Sequence, residues 1–210
     1  QNSLTTIPDA VLNSQTIEKL SIRENRVTDI ASVSRCTTLT YLFLDNNYIR
    51  SLPIDLGSLS KLEVLTFSRN QISQIPESIK DCAALRKFDG TSNRIHKLPE
   101  QFFECRKLVD LHISSNHIAK LPVQLGMLDS LRWLFADNNA IATLPESISD
   151  LENLQWLSLS GNQIMSLPSS ITQLHNLKNC NISNNRVSEL PASFINLKGL
   201  MVLNLDNNTL

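Results

Sequence analysis

An asparagine recurs at intervals of 23 residues along this chain of 210 residues, with a single step of 22 residues after Asn25. The series comprises Asn2, Asn25, Asn47, Asn70, Asn93, Asn116, Asn139, Asn162, Asn185 and Asn208. A fixed period of roughly 20 to 50 residues is typical of repeat proteins, in which each turn packs only against its neighbours. The sequence therefore predicts one domain over residues 1–210, a stack of about nine turns.

The residues around each asparagine follow the frame LxxLxLxxNxIxxLPxxIxxLxxL. Its LxL segment alternates with a period of two, which predicts a short strand with one buried face and, between turns, parallel pairing at about 4.8 Å. After the strand the backbone turns inward. We expect the asparagine carboxamides to satisfy the polar groups buried there.

The step after the ladder asparagine predicts the outer side of each turn. All eight prolines follow an asparagine of the series by six residues, and only the 22-residue step has Ala31 there instead. A fixed φ at proline and apolar spacings such as Ile148, Leu151 and Leu154 favour helical or 3₁₀ segments. The predicted fold is an α/β solenoid, a horseshoe with a concave parallel β-sheet and short helical or 3₁₀ segments on the convex side.

The frame resembles the leucine-rich repeats of the 23-residue intracellular type, and the resemblance covers the whole chain. Phrases such as LPESI at 144–148 and LSIREN at 20–25 are similar to repeats of Ras-pathway and cell-polarity scaffolds. The resemblance implies a protein-binding scaffold or adaptor whose concave face holds a protein or peptide. Two alternatives are a regulatory or targeting domain of a larger kinase, cyclase or ubiquitin ligase, and an extracellular receptor or adhesin.

Both ends of the chain fall in the middle of the frame, one residue before Asn2 and two after Asn208. Solenoids normally close with atypical capping repeats. We therefore expect a domain truncated at both ends.

The balanced charge and the short apolar runs argue against nucleic acid and the membrane interior as binding partners. Lys and Arg number 19 and Asp and Glu number 20, so no strong positive field would attract nucleic acid. The apolar runs are far shorter than the roughly 20 residues that span a bilayer, so we expect no membrane insertion.

The four cysteines, Cys36, Cys82, Cys105 and Cys180, occupy positions where other turns have a core leucine. We interpret them as buried free thiols rather than as disulfides or metal ligands, which favours a cytoplasmic protein. The glycosylation sequons at Asn181 and Asn207 oppose this interpretation.

No sequence motif for catalysis or for a phosphate-binding loop occurs, so the chain is predicted not to be an enzyme and to need no cofactor or metal. The most enzyme-like group is Asp89, Asp110 and His112, on neighbouring strands beside Lys87. An imidazole beside a carboxylate could serve as a general base, but without a nucleophile we interpret these residues as a polar rim.

The frame identifies the side chains of the concave face, because alternate strand residues point away from the core. Both tryptophans and a phenylalanine fall there on two adjacent strands, with a smaller aromatic pair nearer the N terminus. Exposed aromatic residues with a polar rim are typical of interface hot spots, although the rings could also simply pack on one another. The predicted partner-binding residues are Trp133, Phe135, Trp156, Ser158, Asp110, His112, Asp137, Tyr41 and Phe43.

Gly90 takes the place of the second strand leucine in its turn. A missing leucine side chain costs a few kcal/mol unless a neighbour fills the space. We therefore predict that Phe88, Phe67 or Ile113 leans into the gap.

Overall fold

The computed structural model describes residues 3–210, so Asn2, the first asparagine of the series, lies outside the described residues. Within this range nine three-residue strands form one sheet, and each strand pairs in parallel with the strand of the next turn. The strands are β1 (Lys19–Ser21), β2 (Tyr41–Phe43), β3 (Val64–Thr66), β4 (Lys87–Asp89), β5 (Asp110–His112), β6 (Trp133–Phe135), β7 (Trp156–Ser158), β8 (Asn179–Asn181) and β9 (Val202–Asn204). The predicted solenoid with nine parallel strands is confirmed.

The other side of the described solenoid carries one helical turn per repeat. The first is a short α-helix, α1 (Asp9–Leu12), and the others are 3₁₀ segments. Their ranges are Ala31–Arg35, Leu56–Ser58, Glu77–Asp81, Glu100–Glu104, Val123–Met127, Glu146–Asp150, Ser169–Gln173 and Ala192–Asn196. Proline precedes most of them in an extended conformation, and its carbonyl accepts the first helical hydrogen bond, as from Ile79 N–H to Pro76 at 3.1 Å.

The asparagine ladder satisfies buried backbone groups as predicted. The amide nitrogen of Asn116 donates to the carbonyls of Gly90, Ile113 and Ser114 at 3.0 to 3.1 Å. Its oxygen accepts the N–H of Ile95 in the previous turn at 2.9 Å. Each ladder residue thus joins two turns. Asn116 is only 6% exposed, so water has little access to the backbone groups that its side chain satisfies.

A tight turn before each ladder asparagine was not apparent from the sequence. The residue there has a φ between 53° and 68° in every turn with a strand, and only Gly161 is a glycine. A Cβ at Gly161 would lie 2.4 Å from Oδ1 of Asn138. The other eight turns hold this φ with residues other than glycine, so the close approach of the Asn138 side chain, rather than the backbone conformation alone, favours glycine at position 161.

The core is continuous along the stack, and the gap at Gly90 is filled as predicted. A Cβ at Gly90 would come within 2.8 Å of Cζ of Phe67 and 3.3 Å of Cδ1 of Ile95. The Phe67 ring is fully buried and meets Phe88 edge-on with ring centroids 5.1 Å apart. Of the three candidates, Phe67 occupies the space.

All four cysteines lie in this core as free thiols. Burial raises the pKa of Cys82, Cys105 and Cys180 to about 12 in each case, so these thiols stay protonated at neutral pH. The sulfur of Cys105 donates to the carbonyl of Ile79 one turn earlier at 3.3 Å. Their interpretation as core residues is confirmed.

Candidate functional site: the concave face

The strand register brings the predicted aromatic residues together on the concave face. Trp133 pairs with Trp156, and Phe135 pairs with Ser158 across β6 and β7. The Phe135 ring lies 5.9 Å from the Trp156 ring and stacks on His112 of β5, with centroids 4.6 Å apart. We call Trp133, Phe135, Trp156 and His112 the central aromatic cluster.

The cluster is unequally exposed. Trp156 is 40% exposed, whereas Trp133 and Phe135 are half-buried. The rings therefore do pack on one another in part, which is the simpler interpretation of such a patch. Trp156 nevertheless leaves a large apolar surface in water at the middle of the array.

A charged row leads into the cluster from β4 and β5. Nζ of Lys87 lies 2.6 Å from Oδ2 of Asp110, and Nε2 of His112 lies 2.6 Å from Oδ1 of the same carboxylate. Burial raises the pKa of Asp110, but hydrogen bonds and charge interactions with His112 and Lys87 outweigh it and lower the pKa overall. Both carboxylate oxygens are thus occupied, and the imidazole is fixed against Phe135.

Asp137 holds the turn after Phe135. Its Oδ1 accepts the hydroxyl of Ser158 at 2.5 Å and the N–H of Ser160 at 2.8 Å, and its N–H donates to the Ser114 hydroxyl at 3.0 Å. Ser158 is only 5% exposed. The expectation of Ser158 as an open rim residue is therefore wrong, because its hydroxyl is already committed to Asp137.

The second aromatic pair has a different environment. Tyr41 stacks on Phe43 with ring centroids 6.4 Å apart, and Tyr41 is 37% exposed. The guanidinium of Arg23 lies 4.2 Å from the centroid of the Phe43 ring, and Nζ of Lys19 lies 5.5 Å from it. Cations of the previous turn therefore already interact with the face of Phe43.

Asp45 follows Phe43 by two residues, just as Asp137 follows Phe135 beside the central aromatic cluster. Its carboxylate accepts Arg23 Nε at 2.6 Å, the Thr66 hydroxyl at 2.5 Å, and the N–H and hydroxyl of Ser68 at 2.8 and 2.9 Å. Burial raises the pKa of Asp45, but the hydrogen bonds from Thr66, Arg23 and Ser68 outweigh it, and the pKa is lowered overall.

The enzyme-like group considered from the sequence is only partly assembled. Asp110 and His112 are in contact, but Asp89 instead accepts the N–H of Thr91 at 3.0 Å. Asp110 is also neutralised by Lys87, and the bonded imidazole nitrogen is occupied. Across residues 3–210, no three His, Cys, Asp or Glu side chains converge in an arrangement that could hold a metal ion.

Sequence reasoning missed the cations over Phe43. It also missed the hydrogen bonds by which Asp45 and Asp137 each hold a hydroxyl residue of the next strand, which we call the aspartate brackets. A signal for the brackets was present: YLFLDNN at 41–47 recurs as WLFADNN at 133–139, four turns later. A hydroxyl residue follows at matching positions of the next strand, as Thr66 and Ser158. The contact of Arg23 with Phe43 had no such signal, since it depends on how a long side chain folds back over the face.

The chain belongs to the leucine-rich-repeat family. The family model described as leucine rich repeat matches residues 37–95 and 106–164, which together make up more than half of the chain. A comparison with curated proteins found no significant match to the chain.

Solved structures with the same fold come from bacteria and plants. A leucine-rich-repeat protein of Leptospira interrogans superimposes with a TM-score of 0.93 at 29% identity, covering 99% of this chain and 53% of its own. The leucine-rich-repeat ectodomain of the Arabidopsis thaliana receptor kinase GASSHO1/SCHENGEN3, in complex with CASPARIAN STRIP INTEGRITY FACTOR 2, gives 0.88 at 27% identity. That match covers 96% of this chain and 26% of the receptor chain.

A third structure is the Arabidopsis receptor kinase HAESA in complex with the peptide hormone IDA and the co-receptor SERK1. It gives a TM-score of 0.85 at 28% identity and covers 96% of this chain and 36% of the HAESA chain. The present chain thus spans about half the length of the Leptospira protein and about a third or less of the two plant receptors.

No helix between residues 3 and 210 is long and apolar enough to cross a bilayer.

Proposed function

We propose that this domain is a protein-binding scaffold or adaptor module that holds a protein or peptide segment on its concave face, with Trp133, Phe135 and Trp156 as the main contact. The observation that carries the proposal is the 40% exposure of Trp156 beside the half-buried Phe135 ring, on the sixth and seventh of the nine strands. Large aromatic side chains at the centre of a concave surface have the composition of binding hot spots.

The surroundings of the cluster support this role. Asp110 and Asp137 have their charges satisfied within the protein, by Lys87 and His112 in one case and by serine donors in the other. Burying an unpaired carboxylate would oppose binding. A partner that covers the rings buries none here, because both carboxylates already have partners within the protein. Fixed polar neighbours also hold His112 and Phe135 in place, so little side-chain entropy is lost on binding.

The comparisons add support of a general kind. GASSHO1/SCHENGEN3 and HAESA are receptor kinases, solved in complex with CASPARIAN STRIP INTEGRITY FACTOR 2 and with the peptide hormone IDA, respectively. A peptide or a protein segment is accordingly the class of partner that we assign to this chain. These receptors also favour a second candidate function, a ligand-binding or targeting domain within a larger signalling enzyme.

We further infer that catalysis is not a function of this domain, since the one imidazole–carboxylate pair on the concave face within residues 3–210, His112 with Asp110, is held by Lys87 and Phe135. For location we keep the cytoplasm as our proposal, based on four free buried thiols. The alternative of an extracellular domain is supported by the plant ectodomain among the similar structures. Glycan on Asn181 or Asn207 of protein isolated from its source would contradict the cytoplasmic proposal.

The binding proposal is tested with a displayed library of random 12-residue peptides selected on the purified domain. We expect selected peptides to lose affinity by about 2 kcal/mol or more for Trp133→Ala and for Trp156→Ala, as at hot spots. The melting temperature of Trp156→Ala should stay near wild type, because trimming this exposed ring opens no cavity.

The matched control is Lys80→Ala on the convex side, which should change affinity by less than about 0.5 kcal/mol. If both tryptophan variants bind the selected peptides as tightly as wild type, the partner does not use the concave cluster and the proposal is wrong.

A further inference from the structure

Next to the central aromatic cluster, at the edge where the strands begin, the chain forms a cleft lined by three basic side chains. Arg86, Lys107 and Arg132 line it together with Val109, Ser130 and Asn153. The basic residues come from three successive turns, and all three are exposed. We call Arg86, Lys107 and Arg132 the basic edge.

No residue of the basic edge takes part in an ion pair within residues 3–210. The ion pairs in this range involve Arg23, Lys87 and His112. The nearby carboxylates of Asp129 and Glu152 belong to residues next to the lining residues Ser130 and Asn153, but they do not line the cleft themselves. Three cations therefore face one opening without a bonded counter-charge.

Backbone hydrogen bonds fix the main-chain positions of Arg86 and Arg132. The Arg86 carbonyl accepts the N–H groups of Val109 and Asp110 at 2.8 and 3.0 Å. The Arg132 carbonyl accepts those of Gln155 and Trp156 at 2.9 and 3.0 Å. Arg132 thus immediately precedes Trp133 and is bonded to the backbone of Trp156, so it is anchored between the two tryptophans.

We propose that the partner segment is an acidic peptide in which an apolar anchor on Trp133, Phe135 and Trp156 is flanked by Asp or Glu side chains bound at the basic edge. This inference rests on the proposed binding function of the concave face and adds the chemistry of the partner. Charge complementarity carries it, because a partner that covers the rings also comes to lie beside three unpaired cations.

The spacing favours separate carboxylates over a single phosphate. Arg86 and Arg132 precede strands two places apart, which corresponds to about 10 Å at the usual strand separation. At this backbone separation each arginine can pair with its own carboxylate, whereas a single phosphate would require both side chains to converge on one point. An extended peptide advances about 3.3 Å per residue, so two acidic residues about three positions apart in sequence match the two arginines.

Two displayed libraries of 12-residue peptides test the proposal. One has a fixed Trp or Phe flanked by Asp or Glu at half of the variable positions, and the other replaces these by Asn or Gln. We expect the wild-type domain to retain the acidic library at least about fivefold better at low salt. The preference should shrink at 0.5 M salt, because exposed charge interactions are screened there.

The Arg86→Gln/Arg132→Gln variant should retain the two libraries equally. Arg69→Gln/Arg94→Gln is the matched control, since it removes two exposed cations from the opposite end of the strands and should keep the acidic preference. Equal recovery of both libraries by the wild-type domain, including recovery of neither, overturns the acidic assignment. A phosphoserine peptide that binds more than tenfold tighter than its acidic counterpart would overturn it as well.

Trp156→Ala separates this inference from the proposed function. If the wild-type domain recovers the two libraries equally and Trp156→Ala abolishes retention of both, the concave face binds peptides and only the acidic assignment fails. If Trp156→Ala retains the acidic library as wild type does, the proposed function fails too, because the peptides then bind without the aromatic cluster.

Discussion

The two aromatic regions of the concave face share a sequence frame but differ in what surrounds the rings. YLFLDNN at 41–47 and WLFADNN at 133–139 place an aromatic residue, a phenylalanine and an aspartate at matching strand positions. At the first region, Arg23 and Lys19 of the preceding turn lie over the Phe43 ring. At the central region the corresponding neighbours are aromatic, namely His112 before β6 and Trp156 after it.

The difference shows how a solenoid varies its surface while keeping its fold. The frame fixes the strand and the ladder asparagine in both regions, and both regions also carry an aspartate at the same variable position, Asp45 and Asp137. The residues of the adjacent turns then decide whether a ring interacts with cations of its own chain or remains open to a partner. From this comparison we propose that the region of Phe43 stabilises the array and that the region of Trp156 binds the partner.

The largest expected effect concerns the bracketing aspartates. Asp45→Ala leaves the hydroxyl of Thr66, which is 4% exposed, without its acceptor and removes the partner of Arg23. Buried polar groups that lose their partner cost about 1 to 3 kcal/mol each. We expect Asp45→Ala to lower the free energy of unfolding by about 2 to 4 kcal/mol, measured by urea denaturation.

Asp137→Ala should cost somewhat less, about 1 to 3 kcal/mol, because the Ser158 hydroxyl is its main buried donor. Asp206 occupies the same frame position in the last turn, is exposed, and serves as the matched control. Asp206→Ala should change stability by less than about 0.5 kcal/mol. Equal losses for all three variants would show that the brackets contribute nothing specific.

The next effect in size is on binding. For peptides selected on the domain, Trp156→Ala should weaken affinity by about 2 kcal/mol or more, whereas Tyr41→Ala should weaken it by less than about 0.5 kcal/mol. Isothermal titration of both variants with the same peptide gives the ratio directly. A loss at Tyr41 as large as that at Trp156 would mean that both regions bind, and the comparison would fail.

Most of the fold could be predicted because one period controls it. The parallel sheet and the ladder contacts of Asn116 follow from residues at fixed positions of the frame, and the frame narrowed the residue that fills the space at Gly90 to three candidates, of which Phe67 does so. The turn with the 22-residue step keeps its outer segment, since a 3₁₀ segment begins at Ala31 without proline. Repetition makes such predictions reliable because each turn has the same neighbours.

The site could be predicted only by position. The frame placed Trp133, Phe135 and Trp156 on one face, but it could not give their exposure, which depends on how rings lean on the next strand. It also could not show that Ser158 is buried by Asp137, or that Arg23 folds over Phe43. Long and rotatable side chains choose among several neighbours, and a repeat pattern does not determine that choice.

A smaller effect is expected in the pH dependence of stability. The pKa of Asp45 is lowered in the folded protein, so its contribution to stability is present above the unfolded pKa and is lost as pH falls through the folded pKa. We expect the free energy of unfolding to decrease below about pH 4. Asp45→Asn should make this decrease shallower, by less than about 1.4 kcal/mol per pH unit for a single group.

Urea denaturation at pH 3 and pH 6 measures this difference. Asp206→Asn is the matched control and should leave the slope as in wild type. A wild-type slope in Asp45→Asn would show that the hydrogen bonds from Thr66, Arg23 and Ser68 do not hold the carboxylate in its charged form.

The smallest effect tests why the two regions differ. Arg23 both stacks on Phe43 and pairs with Asp45, but its side chain is 48% exposed, so each contact is partly screened by water. A double-mutant cycle with Arg23→Met and Phe43→Leu should give a coupling free energy of about 0.5 to 1 kcal/mol, typical of an exposed cation over a ring. The same cycle with Lys19→Met should give less, since its nitrogen is farther from the ring at 5.5 Å. If Arg23 and Phe43 show no coupling, cations do not protect this ring. The weak binding expected at Tyr41 would then have to come from its place near the end of the array rather than from its neighbours.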